Sequence, residues 1–156
     1  MKTGIGISDK NSEAVALILN KLLADEHILY VKTRNYHWNI EGKNFLELHK
    51  FYEMLYNEIS DVIDDVAERI RKIGHYAEGR LKDFIKLASL DEGEYTNHQE
   101  EQLKHLLDDH ETICRIVREQ IEVIDEKHKD VGTVDFLTGL LKQHEKWAWM
   151  VRSYLH

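Results

Sequence analysis

Not one of the 156 residues is a proline. Average usage of about 5% predicts roughly eight in a chain of this length. Proline removes an N–H donor and collides with the preceding turn, so its complete absence favours long, uninterrupted helices. The glycines lie at 4, 6, 42, 74, 79, 93, 132 and 139 and leave three long gaps, 7–41, 43–73 and 94–131. A stretch of about 30 residues with neither helix breaker reads as one helix. The pattern predicts helices over 9–37, 44–73, 95–127 and 133–153, with a short helix near Leu81–Ala88 in the long connection 74–93. Ser8 or Asp9 is placed to cap the first helix, Asn44 the second and Thr133 the fourth, with Asp135 in the first turn of that last helix to meet its dipole. No strand pattern, low-complexity tract or internal repeat is present.

The second helix has the clearest apolar stripe: Leu48, Tyr52, Leu55, Ile59, Val62, Val66, Ile70 and Ile73. Steps of three and four place these residues on one face. The fourth helix carries Val134, Leu137, Leu140, Leu141, Trp147, Met150, Val151 and Tyr154. The expected fold is all-α: one domain over 1–156, built as a four-helix bundle. The connection 74–93 is too long for a tight turn and carries the chain across the bundle.

Composition removes several function classes. Lys plus Arg number 21 and Asp plus Glu 29, a formal charge of −8. That balance disfavours a dedicated nucleic-acid binder, whose affinity comes mostly from neutralising phosphates. The single cysteine, Cys114, excludes an intrachain disulfide and fits a reducing compartment. No apolar run approaches the roughly 18 residues of a membrane span, and the opening MKTGIGISDKNSE has no apolar signal core. A cytoplasmic location is expected. Ten histidines is a high count that needs an explanation.

A helical wheel on the second helix locates candidate chemistry. With His49 at the origin and 100° per residue, Glu53 falls at about 40°, Asp64 at about 60° and Glu68 at about 100°. The apolar stripe centres near −95°, so these side chains share a face roughly 145° from the helix's own core. His49/Glu53 and Asp64/Glu68 are both i, i+4 pairs, a spacing at which two side chains meet one ion. The pairs are separated by about 22 Å of helix, and metal–ligand bonds are about 2 Å long, so one metal cannot take both pairs from one chain. Antiparallel packing of the helix against its own copy, about a two-fold axis near 58–59, brings His49/Glu53 of one chain to Asp64/Glu68 of the other. Ser60 and Ala67 lie on the same face and permit close approach.

Each pair alone also reads as an ordinary solvated face. His37 alone reads as a capping or surface histidine, Trp38 as core or interface, and Asp125/His128 as C-terminal capping. No histidine has Glu three residues before it, so the Glu-x-x-His motif of bundle-core di-iron proteins is missing. There is no H-E-x-x-H, no Cys/His zinc spacing and no Gly-rich phosphate loop. A mixed imidazole and carboxylate set suits iron, manganese or zinc.

At these residues the sequence resembles the Dps family of mini-ferritins. Asn35-Tyr36-His37-Trp38-Asn39 is similar to the family's His-Trp segment. It is followed by Gly42, Phe45, Leu48-His49, Asp64 and Ala67-Glu68-Arg69-Ile70. The family spacing of two histidines, an aspartate and a glutamate is matched by positions 37, 49, 64 and 68, and Glu53 matches an additional acidic ligand. The end of the chain is also similar, at Gly132-Thr133-Val134-Asp135-Phe136-Leu137 and His144-Glu145-Lys146-Trp147-Ala148-Trp149-Met150.

The resemblance implies a hollow homo-dodecamer with di-iron ferroxidase sites shared between two subunits. His37 and His49 come from one chain, Asp64 and Glu68 from its partner, with Glu53 near the second iron position. It implies oxidation of Fe(II), by hydrogen peroxide in preference to dioxygen, and storage of ferric mineral inside the shell. Trp38 becomes a near-site electron donor, and Asp125, Asp130 and Asp135 become candidates for an acidic pore. Family members that compact DNA often carry a lysine-rich tail. Here the first ten residues hold only Lys2 and Lys10, and twelve copies carry about −96 in formal charge, so DNA binding is not expected. A nucleoid-associated shell with a secondary metal site is the alternative. The segment Gly74-His75-Tyr76-Ala77 lacks a proline that the family leads one to expect there, which concerns loop shape alone.

Overall fold

The computed structural model describes residues 3–156; Lys2, counted above, lies outside them. The helices are α1 Asp9–Asn39, α2 Phe45–Lys72, α3 Leu81–Leu87, α4 Gln99–Val123 and α5 Val131–Tyr154. Helix α1 packs chiefly on α2 and α4 on α5, each pair an antiparallel hairpin closed by a short loop, and α3 lies against α1. Among the described residues there is no strand, only an isolated parallel bridge between Glu41 and His98. The expected four-helix bundle, with a short helix in its long crossover, is the fold observed.

The core is filled by Leu19, Leu22, Leu23 and Tyr36 of α1, Leu48, Tyr52, Leu55 and Ile59 of α2, and Ile113, Leu137, Trp147 and Val151 of α4 and α5. The crossover is tied down by polar groups of α1. Asp25 Oδ1 accepts from Ser89 N (2.5 Å) and Leu90 N (2.9 Å). Asn20 accepts from Glu78 N and donates to the Tyr76 carbonyl. Burial pushes the Asp25 carboxyl above its ordinary range, and the two amides pull it back.

Several boundaries differ from expectation, each for a local reason. Ser8 does cap α1, accepting from Asn11 N. The helix runs beyond 37 to Asn39, however, so His37 is neither a cap nor a surface group and is 7% exposed. Helix α4 begins at Gln99 rather than 95 because the residues before it bind the α1–α2 turn. Glu41 N donates to Asn97 O, and Asn97 Nδ2 donates to Glu41 Oε2. The last turn of α4 opens into a π-helical segment, Ile124–His128, followed by Lys129 at φ 55. Helix α5 is capped by Asp130, not Thr133; Asp130 Oδ1 accepts from Thr133 N at 3.0 Å. Asn44 holds the cap position of α2 but makes no side-chain capping bond.

Candidate metal centre

The last turn of α1 and the first turn of α2 face each other across the 40–44 loop. Gly42 makes the reversal at φ 124, and a Cβ there would meet Gln99 Nε2 at 2.5 Å. His37 and His49, 12 residues apart, are thereby stacked with ring centroids at 3.8 Å and planes 17° apart. Their polar contacts are reciprocal. His37 Nδ1–H donates to the His49 carbonyl (2.7 Å), and His49 Nδ1–H donates to the His37 carbonyl (2.8 Å). A carbonyl oxygen only accepts, so both δ nitrogens carry hydrogen. In the neutral rings the lone pairs then sit on both Nε2 atoms, the form in which imidazole binds a metal. Phe45 stacks on His49 at 5.1 Å and Tyr56 meets His37 edge-on at 5.2 Å, which fixes both ring planes.

The carboxylates stand apart from this pair. Glu53 is exposed one turn beyond His49. Asp64 and Glu68 are exposed near the other end of α2, where Glu68 pairs with Lys72 at 3.2 Å. Among the described residues no three His, Cys, Asp or Glu side chains of one chain gather around a common point. The structure therefore brings His37 and His49 together and leaves Asp64 and Glu68 on the same open face of α2, separate from them.

Trp38 is 62% exposed and so is not core of this chain. Sequence reasoning missed what surrounds it. The Arg34 guanidinium lies 4.8 Å from the Trp38 ring centre and 5.5 Å from that of Tyr56, and it donates to Tyr30 Oη at 3.1 Å. The spacing of Tyr30, Arg34 and Trp38 at i, i+4, i+8 was the available signal.

The three pore candidates also separate. Asp125 and Asp135 are exposed. Asp130 is 2% exposed and fully engaged: Oδ1 accepts from Arg69 Nη2 (3.1 Å), and Oδ2 accepts from Thr133 Oγ1 (2.5 Å). It is a structural cap that ties α5 to the Glu68 end of α2. Gly132 leaves room for this arrangement, since a Cβ there would lie 2.9 Å from Arg69 Nη2. Two of the histidines, His110 and His144, are completely buried.

The helical bundle is that of a ferritin-like protein, and residues 16–156 match the family model for the ferritin-like domain. The chain belongs to the Dps family within that class. It is 32% identical over 145 residues to DNA protection during starvation protein 2 of Bacillus anthracis, covering 93% of this chain and 99% of that one. A low temperature-induced protein of Nostoc is 38% identical over 156 residues, 99% of this chain and 87% of that protein. The crystal structure of Vibrio cholerae Dps, described as a member of a broad superfamily of ferritin-like diiron-carboxylate proteins, superposes with a TM-score of 0.94. Its sequence identity is 30%, with 99% and 97% of the two chains covered. Among the described residues no helix is long and apolar enough to cross a membrane.

Proposed function

We propose that this protein is a ferroxidase and iron-storage protein that oxidises Fe(II) with hydrogen peroxide and deposits ferric mineral inside a dodecameric shell. The observation that carries this reading is the reciprocal His37–His49 pair, whose Nε2 lone pairs are held free of internal partners. Two antiparallel copies of α2 bring that pair to the partner's Asp64 and Glu68, with Glu53 beside the second iron position. Kinship to a protein described as a diiron-carboxylate family member supports the choice of iron.

Fe(II) is substrate here. Asp64 and Glu68 supply the negative charge that favours Fe(III) over Fe(II), and the two imidazoles complete the set. Two ferrous ions held side by side give hydrogen peroxide its two electrons together and yield hydroxide without releasing a hydroxyl radical. Trp38, steadied by Arg34, lies next to the site as a donor for a stray electron. Asp125, Asp130 and Asp135 are the carboxylates proposed for an entry pore. The charge of −8 per chain draws ferrous ions to the shell, and the protection afforded is removal of both reagents of radical production.

The test is size-exclusion chromatography with mass detection after adding Fe(II) and peroxide. The expected result is ferric absorbance eluting with a particle of about 222 kDa, twelve chains of 18.5 kDa. The double variant Asp64→Ala/Glu68→Ala should keep the particle and lose fast oxidation. Unchanged rates in that variant, or an iron-free monomer in the wild type, would refute the reading.

A further inference from the structure

The bundle interior contains a polar chain that the metal centre does not use. Glu26 on α1, His110 on α4 and His144 on α5 are each 0% exposed. His144 Nε2 lies 2.7 Å from Glu26 Oε1, and the two imidazoles meet Nδ1 to Nδ1 at 3.0 Å. His110 Nε2 and Glu26 Oε2 are buried with no hydrogen-bond partner. The Trp147 indole covers both rings, perpendicular to His144 at 4.9 Å and 5.5 Å from His110. Other charged groups nearby are directed elsewhere. Glu58 of α2 accepts the Trp147 indole N–H at 2.6 Å. Asp25, beside Glu26, binds the crossover amides. Asp109, beside His110, pairs with Lys32 at 2.6 Å.

Hydrogen-bond complementarity restricts where the protons lie. Two ring nitrogens in contact need one N–H and one lone pair, and an ionised Glu26 needs an N–H from His144 Nε2. With both imidazoles neutral, His110 Nδ1–H donates to His144, and the Glu26 charge is buried with no opposite charge beside it. With one more proton, His144 carries both N–H groups, one facing Glu26 and one facing His110 Nδ1, and the His110 proton sits on Nε2. The second arrangement sets an imidazolium against the buried carboxylate and removes the cost of an isolated charge.

We propose that Glu26, His144 and His110 form a one-proton relay through the bundle core that makes the stability of the fold depend on pH. The extra proton is held at His110 Nε2, the buried and unpartnered end of the chain. The His110 Nδ1 proton passes to His144 Nδ1, and the positive charge rests on His144 opposite Glu26. A second proton has no counter-charge to meet. In keeping with this, burial and the neighbouring His144 hold the His110 ring well below the usual histidine range. Glu26 thus sets how many protons the native relay holds, and His110 is the member that acid must force.

The test is denaturant unfolding of the assembled protein at fixed chain concentration between about pH 6 and pH 5, below the ordinary histidine value and above the ordinary carboxylate values. Each proton bound by the unfolded chain but not by the native one raises the unfolding constant about tenfold per pH unit of acidification. In the wild type the unfolded chain protonates both histidines and the native relay holds one proton, which leaves one such factor. His110→Gln leaves none, because one histidine is charged in both states. Glu26→Gln leaves two, because the native chain loses its counter-charge. The remaining histidines are common to all three proteins and cancel. The expected order of pH slopes is therefore His110→Gln, wild type, Glu26→Gln, in steps of about tenfold per pH unit. A Glu26→Gln slope parallel to the wild type, or a His110→Gln slope parallel to it, overturns the proposal. Should one variant fail to fold, the other compared with the wild type decides.

Discussion

Asp130→Ala separates two readings of one carboxylate: exposed pore group or buried helix cap. In the structure Asp130 is 2% exposed, and its oxygens accept from Thr133 N (3.0 Å), Thr133 Oγ1 (2.5 Å) and Arg69 Nη2 (3.1 Å). Loss of the cap alone costs about 1 kcal/mol. Loss of a hydrogen bond between charged partners adds about 1.5–3 kcal/mol. Arg69 is not stranded, because it is 21% exposed and keeps its Nε bond to Thr133 Oγ1 at 2.9 Å, so the lower part of that range applies. The expected destabilisation is about 2–3 kcal/mol. Asp130→Asn, which keeps an acceptor for Thr133 N but loses the charge, should cost about half as much. The assay is denaturant unfolding at matched protein concentration, since assembly contributes to apparent stability. A change within about 0.5 kcal/mol, the usual result at an exposed position, would refute the cap.

Two further outcomes follow from the same structure. Burial and the nearby Glu145 carboxylate push the half-buried Cys114 thiol up to about 11, so roughly one molecule in a thousand is thiolate at pH 8. Alkylation by iodoacetamide at pH 8 should be about 100-fold slower than for free cysteine and should rise about tenfold per pH unit up to pH 10; a rate within tenfold of free cysteine would contradict this. With −8 per chain, low-micromolar protein should give no mobility shift of duplex DNA at moderate salt, and a retarded band would contradict that.

The helices were legible because breakers are scarce: Gly42 and Gly74 both take positive φ where α2 begins and ends. Their ends were less legible, because they depend on partners distant in sequence. The start of α4 is set by Asn97 reaching back to Glu41, 56 residues away. The start of α5 is set by Arg69, 61 residues from Asp130. At the candidate centre the 12-residue spacing of His37 and His49 was readable, but the exchange of Nδ1–H bonds with each other's carbonyls was not, since it requires α1 to continue past 37. The Glu26–His144–His110 chain was not legible at all. Its members are 118 and 34 residues apart on three helices, and each alone looks like an ordinary polar residue of a helix.

The central claim is that the metal centre is shared between two chains, and complementation tests it most directly. Chains carrying His37→Ala/His49→Ala are co-assembled in equal amounts with chains carrying Asp64→Ala/Glu68→Ala, and Fe(II) oxidation is measured. Neither variant alone has a complete site. With random pairing, half the pairs are mixed, and each mixed pair has one site with all four ligands and one with none, so about a quarter of wild-type activity should return. A mixture as inactive as its two parents would contradict the shared centre.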